Sequence, residues 1–157
     1  MNSKRFRIAA LALGLIVALS ATAAFADDKA DVTAAVHKFF DNIDPQHIKT
    51  ALPVCDSPAS VVDEFPPHAW QGAKGCANWW RDFSDYNKKN GIEPQGAALG
   101  TPWSVDVSGD RAYFVSPATY TYKQNGKTTT EAHAVFTAAL KKSAGGWKIT
   151  GWSWAKH

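Results

Sequence analysis

The sequence predicts an α+β chain in which three helices, most of them in the first half, pack against one face of a curved, mainly antiparallel sheet. Three observations predict it. Apolar residues recur with helical spacing from Asp28 to Ile43 and again from Gly72 to Asn90. From Thr101 onward the period drops to two, the spacing of strands. Turn signals at Ser108-Gly109-Asp110, Asn125-Gly126 and Ala144-Gly145-Gly146 cut that second half into hairpin lengths.

Residues 1–26 read as a leader, not as part of the fold. Lys4, Arg5 and Arg7 precede an uncharged apolar run from Ile8 to Leu19, and Ala24-Phe25-Ala26 is a small-x-small cleavage signal. This is the pattern of a secretory signal peptide cut after Ala26. The run falls short of the roughly 20 residues that span a bilayer. The expected location is periplasmic or secreted, with no membrane attachment after cleavage, and one domain over residues 27–157. Three of the 17 basic residues and none of the 14 acidic ones lie in the leader, which leaves a balanced 14 of each. Without a basic face there is nothing to neutralise phosphates, so nucleic acid is excluded as a partner.

Within the domain the elements follow in order. Val32, Ala35, Val36, Phe39, Phe40 and Ile43 form the apolar stripe of the first helix. Asp44-Pro45 restarts the chain as cap and first helical residue, and a short second helix runs to about Leu52. Ala59 to Phe65 is a strand, ended by Pro66-Pro67, which cannot continue a ladder. Gly72 to Asn90 is the third helix, with Ala73, Cys76, Ala77, Trp80, Phe83 and Asn87 on one stripe and Trp79 on its flank. Thr101–Val107, Arg111–Tyr122, Thr128–Lys142 and Trp147–Lys156 form a four-stranded meander. Both faces of Arg111–Tyr122 are apolar, so the outer face calls for a cover, and a second copy of the chain is the simplest one. A homodimer is expected.

The stretches "SVVDEF", "WQG", "VSGDRAYFVSPATYTY", "NGKTTTEAHAVFTAALKK" and "GGWKITGWSWAKH", in this order after an amphipathic helix, resemble the nuclear transport factor 2-like superfamily and its SnoaL-type and ketosteroid-isomerase-like branches. The resemblance covers the whole domain. It implies a cone-shaped α+β barrel with three N-terminal helices packed on a strongly curved sheet and an apolar cavity at one end. Members of that superfamily include isomerases, dehydratases, cyclases and non-catalytic binding or assembly domains, so the fold leaves the function open. Catalytic members project an Asp, His or Tyr into the cone.

Several side chains suit such a cavity. Alternation places Asp63 on the face of Val61 and Phe65. A carboxylate among aromatic rings loses hydration, and its pKa rises toward that of a general base. The alternative is a carboxylate tied to backbone in the following turn. His68 is either a proton shuttle beside Asp63 or an exposed loop histidine. Trp70, Tyr86, Tyr120, Tyr122, His133, Trp152 and Trp154 are candidate ligand-binding residues. Cys55 and Cys76 are the only cysteines. They either pair, as an oxidising compartment allows, or leave Cys76 as a small buried hydrophobe. There is no GxSxG elbow, no glycine-rich phosphate loop and no metal-ligand spacing among His37, His47, His68, His133 and His157. No cofactor is expected. The leading reading is a binding domain for a small apolar or aromatic molecule. The alternatives are a cofactor-free isomerase or lyase with Asp63 as base, and a non-catalytic dimeric interaction module.

Overall fold

A computed structural model of the chain describes residues 27–156; the expected leader lies outside the described residues. Helix α1 covers 27–40 and buries Val32, Val36, Phe39 and Phe40. Asp44 then accepts hydrogen bonds from the backbone N–H groups of Gln46 and His47 at 2.8 and 3.0 Å. That bond pattern is how an Asx cap redirects a chain. Helix α2, Ile48–Ala51, runs into a 3-10 turn at Leu52–Val54. Strand β1 is Cys55–Val62, β2 is Ala69–Gly72 and helix α3 is Gly75–Lys89. The remaining strands are β3 (Ile92–Leu99), β4 (Ser104–Ser108), β5 (Arg111–Gln124), β6 (Lys127–Ser143) and β7 (Gly146–Ala155).

The sheet order is β2-β1-β7-β6-β5-β3, with β4 also on β5. Neighbours pair antiparallel except β1 and β7, which are parallel. The helices pack on the concave side, where Phe39, Phe114, Phe136, Leu140 and Ile149 are fully buried. Each such side chain contributes about 1.5–3 kcal/mol by leaving water.

Strand β1 begins and ends earlier than the expected Ala59–Phe65, and two further strands add to the expected set. The third helix starts at Gly75 because residues 69–72 pair with β1 as β2. Strand β3, not among the expected elements, pairs with the far half of β5. Its sequence "IEPQGAAL" lacks alternation and holds Pro94 and Gly96, so only the partner strand makes it a strand; as an edge it tolerates the proline.

Two bulges set which side chains face inward. On β6, Ala118 pairs with Ala134 but Tyr120 pairs with Glu131, so Ala132 and His133 together stand opposite one residue. On β7, Leu140 pairs with Ile149 but Ala139 pairs with Gly151, so Thr150 is the extra residue. Each bulge reverses the alternation. Glu131 therefore turns to the concave side with Ala134 and Phe136, and Ile149 and Trp152 share one face although three residues apart.

Helix α3 is fastened to β1 in three ways. Gly75 approaches so closely that a Cβ there would lie 2.4 Å from the Ala59 carbonyl oxygen. Ser57 Oγ donates to the Ala73 carbonyl at 3.2 Å. Cys55 and Cys76 form a disulfide with Cα atoms 6.6 Å apart. The bond closes a 21-residue separation, for which chain entropy gives about 3 kcal/mol. Replacing both cysteines by alanine is expected to lower stability by about that amount, measured by urea denaturation against the oxidised parent.

Candidate functional site

A cavity of about 700 Å³ opens between the helices and strands β3, β5, β6 and β7. That is the size class of small-molecule pockets. The end of α1 and the turn after it supply Phe40 and Ile43, and the segment just past β1 supplies Asp63 and Phe65. Helix α3 adds Trp79, Trp80, Phe83, Tyr86 and Asn87; strand β3 adds a wall from Ile92 to Ala97. The sheet floor carries Tyr120, Tyr122, Glu131, Phe136, Trp152 and Trp154.

Asp63 lies just past the last residue of β1, yet its backbone N–H still donates to the His68 carbonyl at 3.1 Å, which prolongs the alternation. Val61, Asp63 and Phe65 are buried while Val62 is exposed. The Asp63 carboxylate accepts from Trp79 Nε1 at 2.7 Å and from the Glu64 backbone N–H at 2.7 Å. Burial raises its pKa and these two hydrogen bonds lower it; burial prevails, and the group sits at about 6. Glu64 and Glu131 add repulsion in the same direction as burial.

Glu131 is the second acid. Its Oε1 meets Lys156 Nζ at 2.7 Å, and Lys156 also reaches Glu64 Oε1 at 2.8 Å. Burial works against the Lys156 charge, but the two carboxylates more than offset it and hold the ammonium above its usual range. The other oxygen of Glu131, Oε2, is buried without a partner, as are Tyr120 Oη and Trp152 Nε1. Burial, then the charge of Glu131, pushes the Tyr120 hydroxyl well above its ordinary value, so it remains protonated. Rings close the shell: Trp79 meets Trp152 edge-on at 4.6 Å and stacks on Phe83 at 5.4 Å.

Of the residues singled out from sequence, Asp63, Tyr86, Tyr120, Tyr122, Trp152 and Trp154 line the cavity. Three do not. His68 is exposed, and its ring nitrogen lies 3.3 Å from the backbone carbonyl of Asp63 rather than from the carboxylate. The turn explains this: His68 adopts a left-handed conformation, φ 72°, which swings its side chain out. Trp70 is buried behind Phe65, with ring centroids 4.9 Å apart, and donates to Asp82 at 2.8 Å. His133 is exposed because alternation turns it away from its inward-facing neighbour Ala134. Trp79, Asn87, Glu131 and Lys156 were not singled out. Trp79 had been placed on the flank of the helix, whereas it is buried and Ala77 is exposed. No periodicity announces Glu131. Among the described residues no three His, Cys, Asp or Glu side chains gather as a metal site.

An antiparallel sheet curved around helices, with its cavity at one end, is the nuclear transport factor 2-like fold. Solved structures with this architecture match over most of the chain. One is such a protein with a cystatin-like fold from Novosphingobium aromaticivorans, 13% identical, with a TM-score of 0.70, covering 88% of this chain and 87% of that one. A proposed dehydratase of the same family from Streptomyces avermitilis is 14% identical with a TM-score of 0.65, covering 83% and 97%. A superfamily protein from Salmonella enterica serovar Typhimurium is 16% identical with a TM-score of 0.63, covering 84% and 92%. At these identities the likeness shows the fold alone. No protein-family model matches the sequence, and no curated protein matches it.

Asp63 makes stability depend on pH. An unfolded aspartate titrates near 3.8 and the folded one at about 6. Between those values the folded state holds the proton more tightly. The contribution of this group is therefore greatest below the unfolded value and declines as pH rises through 6, by about 3 kcal/mol in all. Urea denaturation at pH 5 and pH 7 is expected to show that decline in the parent and a flatter response in Asp63→Asn.

Proposed function

We propose that this protein binds a small, largely aromatic molecule carrying at least one polar group. One observation carries the reading: three unpartnered buried polar atoms, Tyr120 Oη, Glu131 Oε2 and Trp152 Nε1, belong to residues that line one aromatic cavity. A buried polar group without a partner costs about 1–3 kcal/mol. A ligand that satisfies these atoms recovers that cost and gains the apolar area as well. The leader pattern at residues 1–26 and the Cys55–Cys76 bond support an extracytoplasmic location, since disulfides persist in oxidising compartments. The half-exposed Tyr113 on the outer sheet face supports a homodimer.

The probe for this reading is 2-naphthol, a flat ring system with one hydroxyl. It is expected to quench the fluorescence of the cavity tryptophans saturably. Tyr120→Phe should weaken it by about five-fold, the value of one neutral hydrogen bond. A linear, unsaturable response would overturn the proposal.

A second reading rests on Asp63. A buried carboxylate titrating at about 6 is suited to remove a proton next to a carbonyl at neutral pH. The protonated Tyr120 hydroxyl is suited to hydrogen-bond the resulting enolate oxygen. This is isomerase or lyase chemistry without a cofactor. Asp63→Asn separates the two readings, because it is expected to abolish proton exchange of a bound ketone while leaving 2-naphthol affinity within about two-fold. Exchange that persists in this variant would remove Asp63 from the role of base.

A further inference from the structure

The chemistry of the cavity narrows its ligand further. Resting on the binding reading above, we infer that the preferred occupant is an organic cation, an aromatic or apolar body bearing an ammonium group. Four carboxylates line the cavity, Asp44, Asp63, Glu64 and Glu131, against two ammonium groups, Lys88 and Lys156. Lys156 is already engaged by Glu64 and Glu131 at 2.8 and 2.7 Å, so it offers little to an anion. The hollow therefore carries an excess of negative charge beside its aromatic lining.

Glu131 supplies the independent observation. Its side chain is nine-tenths buried, at 10% exposure. One oxygen is spent on Lys156, and Oε2 has no partner in the protein. A carboxyl group with a bare buried oxygen calls for a donor, and a cationic donor satisfies it best. The bulge on β6 is what brings that oxygen inside, since regular pairing would have turned Glu131 outward with His133. Tyr120, Tyr122, Trp79 and Trp152 line the same cavity, and aromatic ring faces carry the negative side of a quadrupole. A hollow lined by rings and carboxylates favours ammonium over an uncharged group of the same shape.

The test compares benzylammonium with ethylbenzene, in which a methyl group replaces the ammonium, by tryptophan fluorescence and calorimetry. The full chain is used, with 2-naphthol as a control for cavity occupancy. The ammonium is expected to bind at least about ten-fold tighter than its uncharged isostere. Glu131→Gln should bring that ratio toward one. Lys156→Met, a change at a half-exposed position near the chain end, should raise it by freeing both carboxylates. A ratio of one or less in the parent, with 2-naphthol still bound, overturns the cation assignment and leaves the binding reading intact. So does a ratio that Lys156→Met fails to raise. Absence of binding by all three probes overturns both.

Discussion

The structure depends on the seam between α3 and β1. A bare backbone contact at Gly75, the Cys55–Cys76 bond and the hydrogen bond from Trp79 to Asp63 hold the same helix along the whole length of the same strand. The contact at Gly75 sets the distance, and only a residue without a Cβ permits it. With the helix that close, the Trp79 indole N–H reaches the Asp63 carboxylate, and the rings of Trp79, Phe83 and Tyr86 arrive over the sheet as the roof of the hollow. Removing the seam would leave that buried carboxylate with only the Glu64 backbone N–H as donor.

Burial and hydrogen bonding act on Asp63 in opposite directions, and their magnitudes decide its character. Two donors would hold an exposed aspartate below its ordinary pKa. Here the loss of water outweighs them, and the group titrates at about 6. A residue placed only for stability would be expected to carry less cost. Groups held at such a cost tend to cluster at functional positions. The same holds for Glu131 Oε2, Tyr120 Oη and Trp152 Nε1, which are buried without partners beside the same cavity. Of the four such atoms among the described residues, only Trp147 Nε1 belongs to a residue that does not line the cavity.

How much of this was legible in the sequence differs by element. Helix α1, the hairpins from β4 to β7 and the inward direction of Asp63 follow from periodicity and turn residues, and the described residues agree with them in outline. Strand β3 was not legible, because Pro94 and Gly96 weaken its pattern and its pairing partners run from Ala118, opposite Leu99, to Gln124, opposite Ile92, well along the chain. Strand β2 was hidden by its length of four residues. His68, Trp70 and His133 carried the right chemistry for a site but stand outside the cavity, in a left-handed turn, behind a ring and in a bulge.

The sequence by itself determined the local periods, the positions of the tight hairpins and the pool of aromatic rings available for a core. These depend on neighbours a few residues apart, so they survive without knowledge of the rest of the chain. Tertiary structure alone decided that Glu131 points inward, that Trp79 rather than Trp80 holds Asp63, and that Cys55 meets Cys76. A bulge forms where two strands differ in residue count between fixed contacts, and a helix rotates to suit the surface it covers. Both are set by segments distant in the chain, and so neither is written in the pattern of any one segment.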